Sequence, residues 1–200
     1  AKNHHARHVN ALDIDGSLIK RARELIETAN LNNRITLKQN DGGPLPYLSD
    51  QFDVVYLTAT SCHLQDLDGL FSEIYRVLRY GGWLVGGEWF KSANNIAYRD
   101  WDSLLRERGL NFYFVYRSWF EVSLSKSGFG SVSVTDRTHA TTDLARGYLE
   151  RVKTELKDTL RTRLGNKELE AFLSWTRGRY EAFARGGMAY GHFRARKAET

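Results

Sequence analysis

Short apolar runs that close on a carboxylate or a turn, each followed by a helical stretch, constrain this chain more than any other feature. Val9-Asn10-Ala11-Leu12-Asp13, within residues 8–13, reads as a strand ending in an acid. Gly16-Ser17 then opens a helix predicted to reach about Asn30, with Leu18, Ala22, Leu25 and Ile26 on one face. Arg34-Ile35-Thr36-Leu37-Lys38 is a short strand, and Asp41-Gly42-Gly43-Pro44 is a turn cluster. Phe52–Leu57 is an apolar strand expected to be buried on both faces, as parallel strands are. Leu67, Leu70, Phe71, Ile74, Tyr75 and Leu78 recur at helical spacing; Gly81-Gly82 is expected to close that helix, and Trp83–Gly87 to begin the next strand. Alternation of this kind with short loops implies a parallel sheet with right-handed crossovers.

The second half is more helical. Residues 93–108 and Ser118–Ser127 are predicted helices, the latter stopped by Gly128, and Val132-Ser133-Val134-Thr135 is a strand. Residues 142–164 and 166–184 form two helical segments parted by Gly165-Asn166, and Tyr190–Arg196 is a final strand. Two late strands flanking long helices suit an antiparallel hairpin on the sheet edge.

Two hundred residues with 42% hydrophobic and 26% charged content fit one globular domain with a real core. The single cysteine, Cys62, excludes an internal disulfide and a cysteine-based zinc cluster. It suits a reducing compartment, and a cytoplasmic location is the expectation. No apolar run approaches the roughly 20 residues that span a bilayer, so no stable membrane insertion is expected. The net charge of +5 gathers late, at Arg161, Arg163, Arg177, Arg179, Arg185, Arg194, Arg196 and Lys197. No basic block of five and no RNA-binding aromatic signature accompanies it, so a solvated helical face is favoured over a nucleic-acid groove. His4, His5 and His8 cluster without a carboxylate or cysteine pattern and read as surface residues, and no metal site is expected.

Ala11-Leu12-Asp13-Ile14-Asp15, Asn40-Asp41-Gly42 and Arg79-Tyr80-Gly81-Gly82, in this order and spacing, resemble the S-adenosylmethionine-dependent methyltransferases of the Rossmann-like class, from their second strand onward. Tyr80 stands where that superfamily usually has proline. The resemblance implies an α/β fold whose sheet is mostly parallel with the last strand antiparallel. It also implies a single methyltransferase domain over 1–200, truncated at its N-terminus and lacking the first strand and helix with their Gly-rich loop. Such a chain is expected to leave two strand edges unpaired, to fold poorly alone and to bind cofactor weakly. S-adenosyl-L-methionine is the implied cofactor. Asp13 would accept hydrogen bonds from both ribose hydroxyls, because a carboxylate offers two acceptors to a diol. Asp41 and Gly42 would meet the adenine, with Ile14 and Tyr56 beside the same ligand. A strand-end role for Asp13 and an Asx turn for Asp41 are the plainer alternatives.

Two families come nearer. Thr60-Ser61-Cys62-His63, Glu73–Leu78 and Glu88-Trp89 resemble the sterol methyltransferases. Arg108-Gly109, Gly128-Phe129, Val134, Asp136-Arg137-Thr138, a helical pair with Trp175 and Arg179, and Tyr190–Lys197 resemble the phosphoethanolamine N-methyltransferases, over about half the chain. The second resemblance implies a small phosphorylated amine as acceptor, His63 as the catalytic histidine, and Arg179 and Arg137 facing phosphate. Imidazole titrates near neutral pH and suits removal of a proton from the attacking group. Trp89 could offer its face to a cationic amine or sulfonium, or pack in the core. Cys62 reads as a small buried residue, since a thiol beside a histidine lacks an orienting third group. The run Phe112–Tyr116 is either a lid over the acceptor or plain packing. Thr58 and Ala59 replace the Arg and Asp usual in the phosphoethanolamine enzymes, and Phe120 falls where a tyrosine is expected. Those departures keep two alternatives open: a sterol or other lipid-like acceptor, and a non-catalytic methyltransferase-like domain. Oligomeric state is left open.

Overall fold

A computed structural model describes residues 6–198, which divide into two compact units, one ending at Pro46 and the other beginning at Tyr47. The first unit is a βαβ element. Strand β1 (Val9–Asp13) pairs in parallel with β2 (Ile35–Gln39), Val9 opposite Ile35 and Asp13 opposite Gln39. Helix α1 (Gly16–Thr28) connects them, and Asp15 caps it by accepting from the backbone N–H groups of Ser17 and Leu18. The covered face of α1 is Ile19, Ala22 and Ile26. Leu18 and Leu25, expected on the inner face, are 53% and 60% exposed.

The second unit holds a four-stranded mixed sheet. Its strands are β3 (Phe52–Thr58), β4 (Leu78–Lys91), β5 (Phe129–Asp136) and β6 (Met188–Lys197), in the order β3-β4-β6-β5. The β3–β4 ladder is parallel; β6 runs antiparallel to both β4 and β5. The α/β class and the antiparallel last strand agree with the expectation, but the strands form two sheets, with β1 and β2 in the smaller one. The late strands also differ from a hairpin at the edge, because β6 inserts between β4 and β5.

The helices are α2 (Leu67–Val77), α3 (Ile96–Glu107), α4 (Arg117–Lys126), α5 (Thr138–Lys153) and α6 (Lys157–Ala184), with a 3-10 turn at Ser61–His63. Side chains on a strand alternate between faces, and β4 shows it. Phe90 packs edge-to-face on Phe120 of α4, which also meets Phe71 of α2 and Phe193 of β6. Trp89, one residue earlier, stacks on Trp101 of α3 and meets Phe183 of α6.

Three sequence expectations need correction here. Helix α2 ends at Val77, where Leu78 turns extended (ψ 136°), and Gly81-Gly82 sits in a bulge of β4 where the register to β3 slips. Strand β3 is an edge strand, not one buried on both faces: Val54 and Tyr56 are 52% and 70% exposed. The helix beginning at Thr138 breaks at residues 154–156, with neither glycine nor proline to announce it. Gly165 does interrupt α6, at φ 79° and ψ 167°, a conformation glycine adopts readily.

No helix among the described residues is long and apolar enough to cross a membrane. His4 and His5 lie outside the described residues, and His8 Nε2 lies 2.9 Å from Thr36 Oγ1. Among the described residues no group of three His, Cys, Asp or Glu side chains could hold a metal ion.

Candidate active site

Both strands of the first unit finish on polar loops at the same end. Asp13 Oδ1 accepts from the Asp15 backbone N–H at 2.9 Å, and no other hydrogen bond reaches the Asp13 carboxylate among the described residues. The Asn40 N–H donates to the Asp13 carbonyl at 3.0 Å, which holds the β2 exit against the β1 exit. Asp41 Oδ1 accepts from the Gly43 N–H at 3.0 Å, the Asx turn read in the sequence. Gly42 follows at φ +89° with open space where a Cβ would stand. Ile14 is 66% exposed. One unit end thus offers two carboxylates with free oxygens, an exposed apolar side chain and an open glycine. Those acceptor oxygens fit the hydroxyls of a ribose diol and the amino group of an adenine edge. Tyr56 belongs to the second unit, on β3, with its ring exposed.

In the second unit β3 ends where the parallel ladder ends, Thr58 opposite Gly87. Ala59 turns the chain at φ 45°, its N–H donating to the Gly87 carbonyl at 2.9 Å. The 3-10 turn Ser61–His63 follows. Its histidine lies on this turn and not on the next helix, and its ring sits exposed over Phe112, centroids 4.5 Å apart. Phe112 stacks on Phe114, Phe114 on Trp101 and Trp101 on Trp89, so a continuous aromatic series links the His63 turn to β4. The run Phe112–Tyr116 is thus an extended packing segment with Phe114 buried. Cys62 is buried in the same cluster, and burial first, then the Glu88 charge, pushes its thiol far above the usual range. It is protonated and apolar in character, as the sequence reading had it.

A cavity of about 860 Å³ opens between β4, α5 and α6, with Trp89, Leu144, Tyr148, Arg151, Arg179 and Phe183 in its wall. Arg179 is its chemical centre. The guanidinium lies 5.3 Å from the Tyr148 ring centroid and 5.0 Å from that of Trp175. Burial pulls its pKa below the ordinary value, an effect partly opposed by Tyr148. Its Nε is buried with no hydrogen-bond partner, and no carboxylate pairs with it among the described residues. Arg151, by contrast, is neutralised by Glu155 at 2.9 Å. A buried donor left unpaired costs free energy unless an acceptor reaches it.

Of the expected acceptor residues, Trp89 and Arg179 meet on this cavity. Arg137 does not line it: it is exposed at the start of α5, its backbone N–H donating to the Tyr190 carbonyl at 2.8 Å. Phe120 is fully buried under the other sheet face and does not line this cavity. The contributions of Tyr148 and Arg151 escaped the sequence reading, because only the packing of α5 on α6 brings them beside Arg179.

Residues 1–86 match the family model of a methyltransferase domain. The chain is 34% identical over 82 residues to sterol 24-C-methyltransferase ERG6B of Gibberella zeae, covering 41% of this chain and 22% of that protein. It is 23% identical over 190 residues to phosphoethanolamine N-methyltransferase 1 of Arabidopsis thaliana, covering 95% of this chain and 38% of that protein. Among solved structures, phosphoethanolamine N-methyltransferase 2 of Haemonchus contortus, in complex with phosphomonomethylethanolamine and S-adenosylhomocysteine, aligns at a TM-score of 0.84 with 20% identity, over 96% of this chain and 44% of that one. The chain spans less than half the length of each of these proteins. The fold is that of the Rossmann-like methyltransferases, as the sequence resemblance implied.

Proposed function

We propose that this protein is an S-adenosylmethionine-dependent methyltransferase acting on a small acceptor that carries both an amine and an anionic group, of the phosphoethanolamine kind. The observation that carries the acceptor class is Arg179: a half-buried guanidinium in a cavity wall, with an unpaired Nε and two aromatic neighbours. A phosphate oxygen arriving there would complete a charge-assisted hydrogen bond that the protein leaves unmade. Trp89, in the same wall, offers an aromatic face to the ammonium end.

Asp13 and Asp41 would hold the ribose and adenine of the cofactor, with Ile14 and Gly42 beside them on the first unit; Tyr56, exposed on β3 of the second unit, is a separate cofactor candidate. The cofactor supplies a methyl group already activated by its sulfonium charge. What remains for the protein is to hold the nucleophile in line and to take its proton. His63 is assigned that second task, since its exposed imidazole stands at the carboxyl end of the β3–β4 pair, where open α/β sheets bind their ligands. Arg137, exposed on the same unit, would guide an approaching phosphate without lining the cavity.

The test uses the full-length protein that carries this chain. Calorimetric titration with S-adenosylhomocysteine should show binding that Asp13→Ala weakens by about tenfold or more, the loss of hydrogen bonds to a charged acceptor. Methyl transfer to phosphoethanolamine should show a KM raised about tenfold or more in Arg179→Gln, with S-adenosylhomocysteine affinity unchanged. No cofactor binding would point to a non-catalytic domain. A sterol acceptor is the second reading, supported by the local identity to the sterol enzyme and by the apolar share of the cavity wall. Turnover of a sterol, insensitive to Arg179→Gln, would establish it.

A further inference from the structure

Glu88 is the most deeply buried acidic side chain among the described residues, 1% exposed, and no basic group pairs with it there. A carboxylate in such a place is retained only where its lone pairs are filled. Here they are filled from two places, the start of the 3-10 turn and the next residue of β4. Oε2 accepts from the Ser61 backbone N–H at 2.9 Å and from the Ser61 hydroxyl, while Oε1 accepts from the Trp89 N–H at 2.9 Å. Two of these three donors belong to the first residue of the 3-10 turn whose last residue is His63.

The Ser61–His63 turn has little else to hold its start. Thr60, at its N-cap, makes no side-chain capping bond; its hydroxyl donates back to the Thr58 carbonyl at 3.0 Å. Ala59, just before, sits at φ 45°, where a non-glycine residue is strained. The far side of the turn is held separately: the Tyr113 N–H donates to the Cys62 carbonyl at 2.6 Å, and Phe112 underlies the imidazole. A strained entry, an unmade cap and a buried carboxylate converge on one turn, and that turn ends in the proposed base.

We propose that Glu88 is a positioning residue: from β4 it clamps Ser61 and thereby sets where the His63 imidazole stands. The inference rests on the assignment of His63 as proton acceptor. Glutamate is required over glutamine because each of its oxygens faces a backbone N–H, Ser61 on Oε2 and Trp89 on Oε1, that can only donate. An amide would turn its NH₂ toward one of them and push the turn away. Alternation along β4 sends Glu88 and Trp89 to opposite faces. One dipeptide thus braces the base from one side and forms the acceptor wall on the other.

The experiment is a double-mutant cycle in the full-length protein, made from Glu88→Gln, His63→Asn and the two combined. Initial rates with phosphoethanolamine are read beside the imidazole NMR signals of His63 and, as a control, His192. Glu88→Gln should lower kcat by about tenfold or more, with KM changed less than about twofold, as for a displaced catalytic group. In the His63→Asn background the same substitution should do nothing further, because its effect passes through His63. The His63 signal should shift and broaden while that of His192 stays. If Glu88→Gln does not fold, Ser61→Ala replaces it in the cycle with a smaller loss, about threefold, and the same His63 signature. An equal kcat loss in both backgrounds, or an unmoved His63 signal in a folded variant, overturns the proposal. Unchanged kcat in His63→Asn alone overturns instead the assignment of His63, and an NMR response to Glu88→Gln then remains as a purely structural effect.

Discussion

The two units of this chain are built on opposite economies of burial. In the first, among the described residues, Ile19 is the lone buried side chain, and the element is two strands and a helix. The second interleaves four strands with helices on both faces and keeps side chains such as Phe71, Leu78, Phe120 and Leu124 fully out of solvent. A two-stranded element is marginal in water, whereas a sheet of several strands covered by helices holds itself together. The small unit therefore presents its candidate cofactor residues at strand ends, where backbone geometry alone places them. The large unit presents its candidate acceptor residues in a wall that only packing creates.

Core truncation should separate the units most strongly. Phe120→Ala removes a ring with no exposure and three aromatic neighbours, and should cost about 3–5 kcal/mol in urea unfolding. Leu25→Ala, 60% exposed in the first unit, should stay within about 0.5 kcal/mol. A large loss from Leu25→Ala would break the comparison.

Next comes Lys197. Its buried ammonium donates to Asp50 Oδ1 at 2.7 Å and to the Tyr75 and Leu78 carbonyls at 2.9 and 2.8 Å, tying β6 to the end of α2. Lys197→Met keeps the stem but orphans those acceptors. It should destabilise by about 2–3 kcal/mol, measured by the same unfolding. Among its described residues the first unit has no buried charged side chain of this kind.

What was legible in the sequence follows the same division. Asp13, Ile14, Asp41 and Gly42 stand out through the resemblance of the strand-end segments to the methyltransferases, and the fold brings those ends together by parallel register alone. The helices were legible too, since apolar residues recur at their period. Three things were not. Val54 and Tyr56 look like a buried strand, because periodicity reports apolar residues and not whether a neighbour covers them. The break at Thr154-Glu155-Leu156 has no helix-breaking residue, so only tertiary packing decides it. The Ser61–Glu88 bond joins residues that no local pattern connects.

The smallest effects are a matched pair of helix starts, one in each unit. The Ser17 side chain, then its backbone N–H, holds the Asp15 carboxyl below its usual pKa; the Thr138 side chain and N–H do the same for Asp136. A depressed folded pKa stabilises above the unfolded value of about 3.9 and is lost as pH falls through the folded value. Urea midpoints should therefore drop between about pH 4 and pH 2, and less steeply in Asp136→Asn. Asp15→Asn should leave the main transition almost unchanged, since Asp15 is fully exposed and serves the smaller unit. An equal response from both would say that the units unfold as one.

The place of β6 has a consequence for synthesis. It is the last strand of the sheet in chain order and yet an inner one, with β4 on one side and β5 on the other. As the polypeptide leaves the ribosome, β4 emerges long before the strand that covers its open edge. Throughout that interval a long apolar ladder stands ready to pair with any passing chain. Closure of the sheet waits for a contact between segments far apart in sequence, and such contacts make folding slow. Until β6 arrives, that edge of the nascent chain stays open to mispairing.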